Sequence, residues 1–335
     1  MLCIRSIAAN LQPATTVAAT VAAGLLCLGV TVQAEEAVTL EGHKNVVSSL
    51  VFSDDGQRLF SGSWDRTVRV WNATSGQQET VLPGHSDWVI DLKLTADNEL
   101  LSTSQKEILR WSPGTFEMSR GWSDLGGATV NSAAFSPDAT KLATGGRDGF
   151  VRVWPIDADS KSVIELGGFR SWVGALCIPA DGNRLAAGTR MGTIRIFELP
   201  TGKQLHSFDA HPGRQVLTLA MSPDGKTLVS GAFEQTARLW NIETGKETAT
   251  LSGHRGVVTS AAWSADGKLL ATGERHGSIH IWDAGDSSKP LKNITAHSDG
   301  RLGFSVTALA FSRDGKRIAS GSYDKTIRIW SVSDE

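Results

Sequence analysis

The chain has 335 residues, and its 33 lysines and arginines against 35 aspartates and glutamates give a net charge of −2. A nucleic-acid binder typically carries a broad basic surface, so this balance excludes nucleic acid as a partner. Of the three cysteines, Cys3 and Cys27 lie in the first 34 residues, and no disulfide framework is expected in the rest. The third, Cys177, is expected to be a small buried residue.

The first 34 residues are typical of a secretory signal peptide. No charged residue occurs between Arg5 and Glu35, and residues 17–30 form an apolar run of the length of a signal-peptide core. Small residues at positions 32–34 predict cleavage before Glu35. The alternative is an uncleaved membrane anchor. We therefore expect an exported protein, periplasmic or extracellular, that is associated with a membrane only if this segment is retained.

From residue 35 onward the chain is a tandem repeat. Seven aromatic residues recur at intervals of 40, 43, 43, 43, 42 and 48 residues: Trp71, Trp111, Trp154, Phe197, Trp240, Trp282 and Trp330. A fixed period of this size is typical of repeat architectures, in which each unit buries its apolar surface against its neighbours. The seven units occupy residues 35–335, so one domain is predicted there.

The last repeat shows the predicted secondary structure of one unit. Residues 306–311 alternate as a strand, residues 312–316 form an Asp-Gly hairpin turn, and residues 317–322 and 326–330 form two further strands. In the earlier repeats a fourth, weaker strand follows the aromatic residue. Four antiparallel strands repeated seven times predict an all-β fold, a seven-bladed β-propeller.

The two ends of the repeat array predict how the ring closes. The last repeat has only three strands, while residues 37–40 form a lone strand ahead of the first repeat. A ring that did not close would leave exposed strand edges. We therefore predict that this N-terminal strand completes the seventh blade, beside residues 326–332.

Each repeat carries variants of one motif: a Gly-His before the first strand, a Ser or Thr in the second, an Asp in the next turn and an aromatic residue in the third strand. By this motif the sequence resembles the WD-repeat propeller family, of the secreted prokaryotic type, over essentially all of residues 35–335. In that family the four side chains form a hydrogen-bonded tetrad inside each blade. The resemblance implies two complete tetrads, namely His43, Ser61, Asp65 and Trp71 in the first repeat and His297, Ser320, Asp324 and Trp330 in the last.

The other five repeats depart from the motif. The fourth replaces the whole set, with Phe169, Ala187, Met191 and Phe197. The third lacks the His and the second lacks the Asp in a shortened turn, while the fifth and sixth have Glu234 and His276 at the Asp position. An unpaired buried polar group costs about 1–3 kcal/mol, which favours joint replacement and predicts weaker blades where the loss is partial.

Catalytic motifs are not found in the sequence. We see no Gly-rich phosphate loop, nucleophile elbow, haem attachment motif or paired Cys/His zinc pattern. His276 and His280 are four residues apart along a strand, about 13 Å, which is too far for two ligands of one metal. The sequence therefore predicts a protein that is not an enzyme and has no cofactor.

The resemblance also implies a binding surface, because in WD-repeat proteins the residue before the tetrad Asp faces the top mouth of the propeller. In the six repeats that align without a gap, this position holds Trp64, Arg147, Arg190, Phe233, Arg275 and Tyr323. Trp88 and Trp172 stand just before the first strands of their repeats and are expected near the same rim. Arginine mixed with aromatic residues is typical of interaction hot spots.

These features favour an exported scaffold that binds a protein partner or a peptide segment through its top face. The alternative is a propeller that binds a small molecule, glycan or metal in its central channel, with hydrolase or lyase activity. The first strands, which would line that channel, offer mainly Ser, Thr and Ala, with Asp91 and Asn131 as exceptions.

Overall fold

The computed structural model describes residues 37–123, 125, 129–156, 163–179, 181–298 and 304–332. Their regular structure consists of strands in seven four-stranded antiparallel sheets. Within these ranges, no helical segment has the length and hydropathy of a membrane span. The predicted signal peptide, residues 1–34, lies outside the described residues.

The strands are numbered β1 to β28 in chain order, and the sheets are called blades 1 to 7 in the order of the repeats. The innermost strands are β2 (Val47–Phe52), β6 (Val89–Leu94), β10 (Val130–Phe135), β14 (Val173–Cys177), β18 (Val216–Met221), β22 (Val258–Trp263) and β26 (Val306–Phe311). The second strands are β3 (Arg58–Ser63), β7 (Leu100–Ser104), β11 (Lys141–Gly146), β15 (Arg184–Thr189), β19 (Thr227–Ala232), β23 (Leu269–Glu274) and β27 (Arg317–Ser322).

The third and fourth strands complete the blades. The third strands are β4 (Val68–Asn72), β8 (Glu107–Trp111), β12 (Val151–Pro155), β16 (Thr193–Glu198), β20 (Ala237–Asn241), β24 (Ser278–Asp283) and β28 (Ile327–Ser331). The outermost strands are β5 (Gln78–Leu82), β9 (Met118–Ser123), β13 (Ile164–Leu166), β17 (Gln204–Asp209), β21 (Lys246–Leu251), β25 (Lys292–Thr295) and, in blade 7, β1 (Val38–Leu40). The predicted seven-bladed propeller is confirmed.

The N-terminal strand closes the ring as predicted. Strand β1 pairs antiparallel with β28, in the register Val38 to Ile329 and Leu40 to Ile327. The innermost strands of successive blades contact one another in turn, and β26 of blade 7 contacts β2 of blade 1. Leu40 is buried in the core between these two blades. The junction of blades 7 and 1, here called the seam, therefore has a continuous apolar interior.

Successive blades pack through a valine and a glycine. Each innermost strand begins with a valine that is at most 2% exposed. In six of the seven blades this valine lies against a glycine of the preceding blade's second strand. At Gly62, an added Cβ would lie 2.6 Å from a methyl group of Val89, and at Gly321 it would lie 2.5 Å from Val47. The glycines of the second strands are therefore required by close packing between blades.

Hydroxyl groups at one position of the innermost strand add hydrogen bonds between four consecutive blades. Each innermost strand bulges after its first residue. At this position Ser48 donates to the Val89 carbonyl at 2.7 Å, Thr259 donates to the Val306 carbonyl at 2.7 Å, and Thr307 donates to the Val47 carbonyl. These bonds join blades 6, 7, 1 and 2 in series. The same position holds Ile90, Asn131, Gly174 and Leu217 in blades 2 to 5.

In blade 1 the four tetrad side chains form one hydrogen-bonded chain. The Trp71 indole N–H donates to Ser61 Oγ at 2.8 Å, Ser61 Oγ lies 2.7 Å from His43 Nε2, and His43 Nδ1 lies 2.9 Å from Asp65 Oδ2. Burial lowers the pKa of His43, so the ring is neutral. It donates from Nδ1 to Asp65 and accepts the Ser61 hydroxyl at Nε2. Each of these four side chains therefore has a hydrogen-bond partner.

The tetrad carboxylates are held ionised in blades 1 and 7. Burial would raise the pKa of Asp65, but hydrogen bonds from His43, Thr67 and the Lys44 N–H outweigh it and hold the pKa well below its usual value. Blade 7 repeats the arrangement, with His297 Nδ1 at 2.8 Å from Asp324 and Nε2 at 2.9 Å from Ser320. There, the same balance lowers the pKa of Asp324 to about 2.

Blade 4 is built without the tetrad. Phe169, Ala187 and Phe197 are buried, and the two phenyl rings lie 5.8 Å apart in place of histidine and tryptophan. Met191, at the Asp position, is 58% exposed and does not belong to this core. The joint replacement predicted from the sequence therefore fills three of the four tetrad positions with buried apolar side chains. The fourth, Met191, lies at the surface.

Blades 2 and 6 add a carboxylate that the sequence interpretation missed, because a glutamate accepts the loop N–H in each. The tetrad stays incomplete, since Nδ1 of His85 and of His254 has no hydrogen-bond partner among the described residues. In blade 1 the N–H of the residue after His43 donates to Asp65. In blade 2 the equivalent N–H of Ser86 donates to Glu107 at 2.6 Å, and in blade 6 the N–H of Arg255 donates to the fully buried Glu274 at 2.6 Å. Glutamate is one methylene longer than aspartate, so it reaches this loop from a shifted position. His276, at the Asp position of the motif, is exposed.

Candidate functional site on the top face

The six predicted rim residues occupy equivalent positions at one edge of the propeller. In each, the backbone N–H donates to the carbonyl of the residue just before an innermost strand. The pairs, at 2.8–3.2 Å, are Trp64 to Val46, Arg147 to Thr129, Arg190 to Trp172, Phe233 to Gln215, Arg275 to Val257 and Tyr323 to Ser305. Because second strands end and innermost strands begin at this edge, all six residues lie on one face, here called the top face.

Three aromatic residues from blades 7, 1 and 2 form a continuous cluster on the top face. The Trp64 and Trp88 rings stack with centroids 4.6 Å apart and planes 10° apart, and the Tyr323 ring meets Trp64 edge-on at 5.6 Å. Trp88 is 41% exposed and Tyr323 is 47% exposed. The rings support one another across two blade boundaries, so this aromatic cluster presents a preformed apolar surface.

A second cluster lies on blades 3 and 4. The guanidinium groups of Arg147 and Arg190 lie over the Trp172 ring, 4.8 and 4.6 Å from its centroid. Arg147 is also oriented by a hydrogen bond from its Nε to Asn131 Oδ1 at 3.2 Å. Trp172 is 38% exposed. Two cations on one indole ring give a rigid surface that is aromatic and positively charged.

Phe233 and Arg275 belong to neither cluster. Phe233 is 42% exposed and Arg275 is exposed. In the described part of the chain, neither forms a ring contact, cation–π contact or ion pair with another rim residue. The structure therefore joins six of the eight predicted binding residues into two clusters and leaves these two on separate blades.

The central channel opens beneath the clusters. It encloses about 600 Å³, and the residues at its mouth include Trp64, Trp88, Arg147, Tyr323 and Gln105. Gln105 stands in the shortened turn of blade 2, where the motif cannot be aligned, so its position was missed from the sequence. A ligand that contacted both clusters would also cover the mouth of the channel.

The channel wall is mostly Ser, Thr, Ala and Leu, with few ionisable groups. Asp91 is the single acid among the described lining residues, and the Leu92 N–H donates to its carboxylate at 2.9 Å. Burial raises the pKa of Asp91 to about 7. Asn131 lines the wall of blade 3. Across the described ranges, no group of three His, Cys, Asp or Glu side chains has the arrangement of a metal site.

Sequence similarity gives the family of this propeller. The family described as WD40, "WD domain, G-beta repeat", matches residues 35–72, 123–155, 202–241, 245–283 and 288–331, which is more than half of the chain. The chain belongs to the WD-repeat family. The unmatched stretches contain most of blades 2 and 4, the blades with a shortened turn and without a tetrad.

Curated proteins match segments of the chain. Apoptotic protease-activating factor 1 of Rattus norvegicus is 33% identical over 142 residues, covering 42% of this chain and 11% of that protein. Small ribosomal subunit protein RACK1y of Oryza sativa subsp. japonica is 33% identical over 129 residues, covering 37% of each chain. WD repeat domain-containing protein 83 homolog of Dictyostelium discoideum is 25% identical over 128 residues, covering 38% of this chain and 39% of that protein. The matches span less than two thirds of each relative's length.

Proposed function

We propose that this protein is a non-enzymatic scaffold that binds a protein partner or a peptide segment through its top face. The observation that carries the proposal is the pair of exposed, preformed clusters beside the channel mouth, Tyr323–Trp64–Trp88 and Arg147–Trp172–Arg190. Aromatic and arginine side chains dominate the binding energy of protein interfaces. The rice relative is, by name, a protein of the small ribosomal subunit and so a component of a larger assembly.

The proposed mechanism is presentation on a rigid frame. Each rim residue follows a second strand directly and is tied by its backbone N–H to the start of an innermost strand. Stacking then limits the rotamers of the side chains before a partner arrives. Binding loses less conformational entropy when side chains are ordered in advance, so more of the contact energy is available for affinity.

Affinity capture with crosslinking, from the cells that produce the protein, tests the proposal. We compare the intact protein with the double variant Trp64→Ala/Tyr323→Ala, which removes the aromatic cluster. A control variant, Lys226→Ala/Lys268→Ala, changes two exposed lysines in the hairpin turns at the opposite edge. A partner captured by the intact and control proteins but lost with the rim variant supports the proposal. Equal capture by all three proteins of matched melting temperature contradicts it.

Export is also part of the proposal, supported by the uncharged apolar segment at residues 17–30. We propose that the functional protein is periplasmic or extracellular and begins at Glu35. Mass spectrometry of the protein from its native compartment measures this directly. A mass that lacks residues 1–34 supports cleavage, a full-length mass in the membrane fraction supports the anchor, and a full-length mass in the cytosol contradicts export.

The alternative function, a ligand in the channel, is supported by one observation. Asp91 is a carboxyl group whose pKa of about 7 allows it to exchange a proton near neutral pH. If the channel binds a ligand through this group, Asp91→Asn abolishes ligand binding and leaves partner capture by the rim unchanged. If the scaffold proposal holds alone, the same variant changes only stability.

A further inference from the structure

A second cavity lies on the top face between blades 3 and 4, beside the mouth of the central channel, and Arg147 lines both. It encloses about 610 Å³ and is lined by Arg147, Arg170, Arg190, Trp172 and Met191, among others. We call these five residues the arginine pocket. Arg170 is exposed, stands in the loop before β14 and lines the same cavity as the two arginines that lie over Trp172. Three arginines thus line one cavity.

The positive charge of the arginine pocket is not balanced by an acid. Within the described residues, no carboxylate forms an ion pair with Arg147, Arg170 or Arg190. Asp148 also lines the cavity, but its Oδ2 accepts a hydrogen bond from Arg152 at 2.7 Å. Three arginines without an ion-pair partner among the described residues therefore line one cavity, in a chain whose net charge is −2.

The loss of the tetrad in blade 4 explains this charge. In blade 1 the tetrad carboxylate of Asp65 lies directly after rim residue Trp64 and accepts the Lys44 N–H of the facing loop. Blade 4 has Met191 at that position, directly after Arg190. The substitution removes the carboxylate that would face Arg170 and Arg190, and it leaves a side chain that is 58% exposed. The pocket therefore combines positive charge with an exposed apolar side chain at its edge.

The hydrogen-bond donors of Arg170 and Arg190 are available. Within the described residues neither guanidinium group donates a hydrogen bond, while Arg147 donates from Nε to Asn131. A guanidinium group carries its N–H donors in one plane. Planar guanidinium groups pair with carboxylates in a two-pronged geometry. Trp172 and Met191 offer apolar surface within the same cavity for a side chain next to such a carboxylate.

We propose that the arginine pocket binds an acidic peptide segment of the protein partner. Carboxylates of the segment pair with Arg170 and Arg190, and a neighbouring apolar side chain lies on Trp172 and Met191. This inference rests on the proposed scaffold function and gives the chemistry of the partner. The pocket is a local feature of a chain without an extended basic surface, which favours an acidic peptide over nucleic acid.

Fluorescence anisotropy tests the inference with a fluorescein-labelled octapeptide of alternating Glu and Leu. The matched control peptide has Gln in place of each Glu. We expect the Glu peptide to bind the intact protein at least tenfold more tightly than the Gln peptide. Arg170→Gln and Arg190→Gln are each expected to weaken binding about tenfold, the usual scale for a hydrogen bond to a charged group. The control Arg313→Gln, an exposed arginine in a hairpin turn at the opposite edge, should change the affinity less than twofold.

A second variant tests the same claim without removing an arginine. Met191→Asp restores the carboxylate of the tetrad motif, which should pair with Arg170 or Arg190 and lower the affinity for the Glu peptide at least tenfold. Equal affinity for the two peptides, or unchanged affinity in both arginine variants, overturns the inference. Tighter binding of a twelve-residue oligothymidine than of the Glu peptide also overturns it and assigns the pocket to nucleic acid.

Capture of the native partner separates this inference from the scaffold proposal. If Trp64→Ala/Tyr323→Ala loses the partner while Arg170→Gln/Arg190→Gln retains it, the top face is the binding surface and the acidic-segment inference is wrong. If both double variants lose the partner, both proposals are supported. If neither loses it, both fail.

Discussion

Blades 1 and 4 are the same repeat stabilised in two ways. Blade 1 contains a fully paired chain of Trp71, Ser61, His43 and Asp65. Blade 4 places Phe169 and Phe197 in contact and has no polar group at these positions. Both arrangements satisfy the rule that a buried polar group must be paired or absent. The comparison shows that the tetrad is one solution to packing a blade, and that blade 4 replaces it as a unit.

The same comparison extends to the surface. On the tetrad side of the ring, blades 7, 1 and 2 carry the aromatic cluster, and hydroxyl groups link blades 6, 7, 1 and 2. On the side of blade 4, the interior is apolar, and three arginines and Trp172 line one cavity at the rim. The exposed Met191 at the Asp position of the motif therefore also changes the charge of the face that we propose binds a partner.

Lowering the pH should have the largest effect on stability. It should also distinguish blades with a buried histidine from blade 4, which has none at that position. Burial lowers the pKa of His85 to about 4 and of His254 to about 3, from 6.5 in the unfolded chain. Below pH 6.5 the unfolded chain binds protons that the folded chain does not, so stability falls as the pH falls towards 4. Each histidine contributes on the order of 3 kcal/mol to this loss.

Urea unfolding at pH 7 and pH 4.5 measures the overall loss, and hydrogen exchange at pH 4.5 locates it. We expect exchange to rise first in blades 2 and 6 and last in blade 4, which has Phe169 in place of the histidine. Asp91 acts in the opposite direction, since its raised pKa means that its contribution to stability is lost as the pH rises from 3.8 to about 7. Asp91→Asn should therefore steepen the loss on acidification. Equal stability at the two pH values would contradict the account.

Leu40→Ala tests whether the stability of the seam depends on strand β1. The two blades at the seam both have complete tetrads. Leu40 is 1% exposed, so truncation should lower the free energy of unfolding by about 2–5 kcal/mol. Thr39→Ala, in the same strand but exposed, is the matched control and should change it by less than about 0.5 kcal/mol. Chemical denaturation measures both, and equal effects of the two variants would argue against closure by β1.

A reciprocal pair of substitutions tests the difference between blades 1 and 4 directly. Ser61→Ala leaves the Trp71 N–H and His43 Nε2 without a partner. Ala187→Ser adds a hydroxyl group to the apolar core that contains the two phenyl rings. Each should lower the free energy of unfolding by about 1–3 kcal/mol. Thermal denaturation of the two variants measures these losses. If either variant were more stable than the unmodified protein, the tetrad residues would not have to be replaced together.

The smallest effect is expected at a surface ion pair across the seam. Arg313 pairs with Asp54 of the neighbouring blade, but the two side chains are 66% and 64% exposed. Asp54→Asn should therefore cost less than about 1 kcal/mol, and less still in high salt. A loss above 2 kcal/mol in urea unfolding would mean that the seam depends on charge more than on its apolar core.

The fold was predictable because its signals are local and repeated. The period of the seven aromatic residues, the Asp-Gly turns and the lone strand at residues 37–40 together determined blade number, strand order and closure. The carboxylates of Glu107 and Glu274 were missed because a longer side chain reaches the tetrad loop from a shifted position, which an aligned motif does not show.

The site was predictable only as a set of positions. The motif placed Trp64, Trp88 and Tyr323 at one edge, but their stacking depends on distances between blades that no single repeat encodes. The arginine pocket could not be predicted from the sequence, because it depends on two observations of side-chain placement. Asp148 is engaged by Arg152, and Arg170 lines the same cavity as the two arginines that lie over Trp172.

The central claim is that partners bind the top face, and site-specific photocrosslinking tests it most directly. A benzophenone amino acid is placed at Tyr323, in the aromatic cluster, or at Lys268, in a hairpin turn at the opposite edge, and each protein is irradiated in the cells that produce it. The account predicts a crosslinked partner from position 323 and none from position 268. A partner crosslinked from position 268 alone would contradict it.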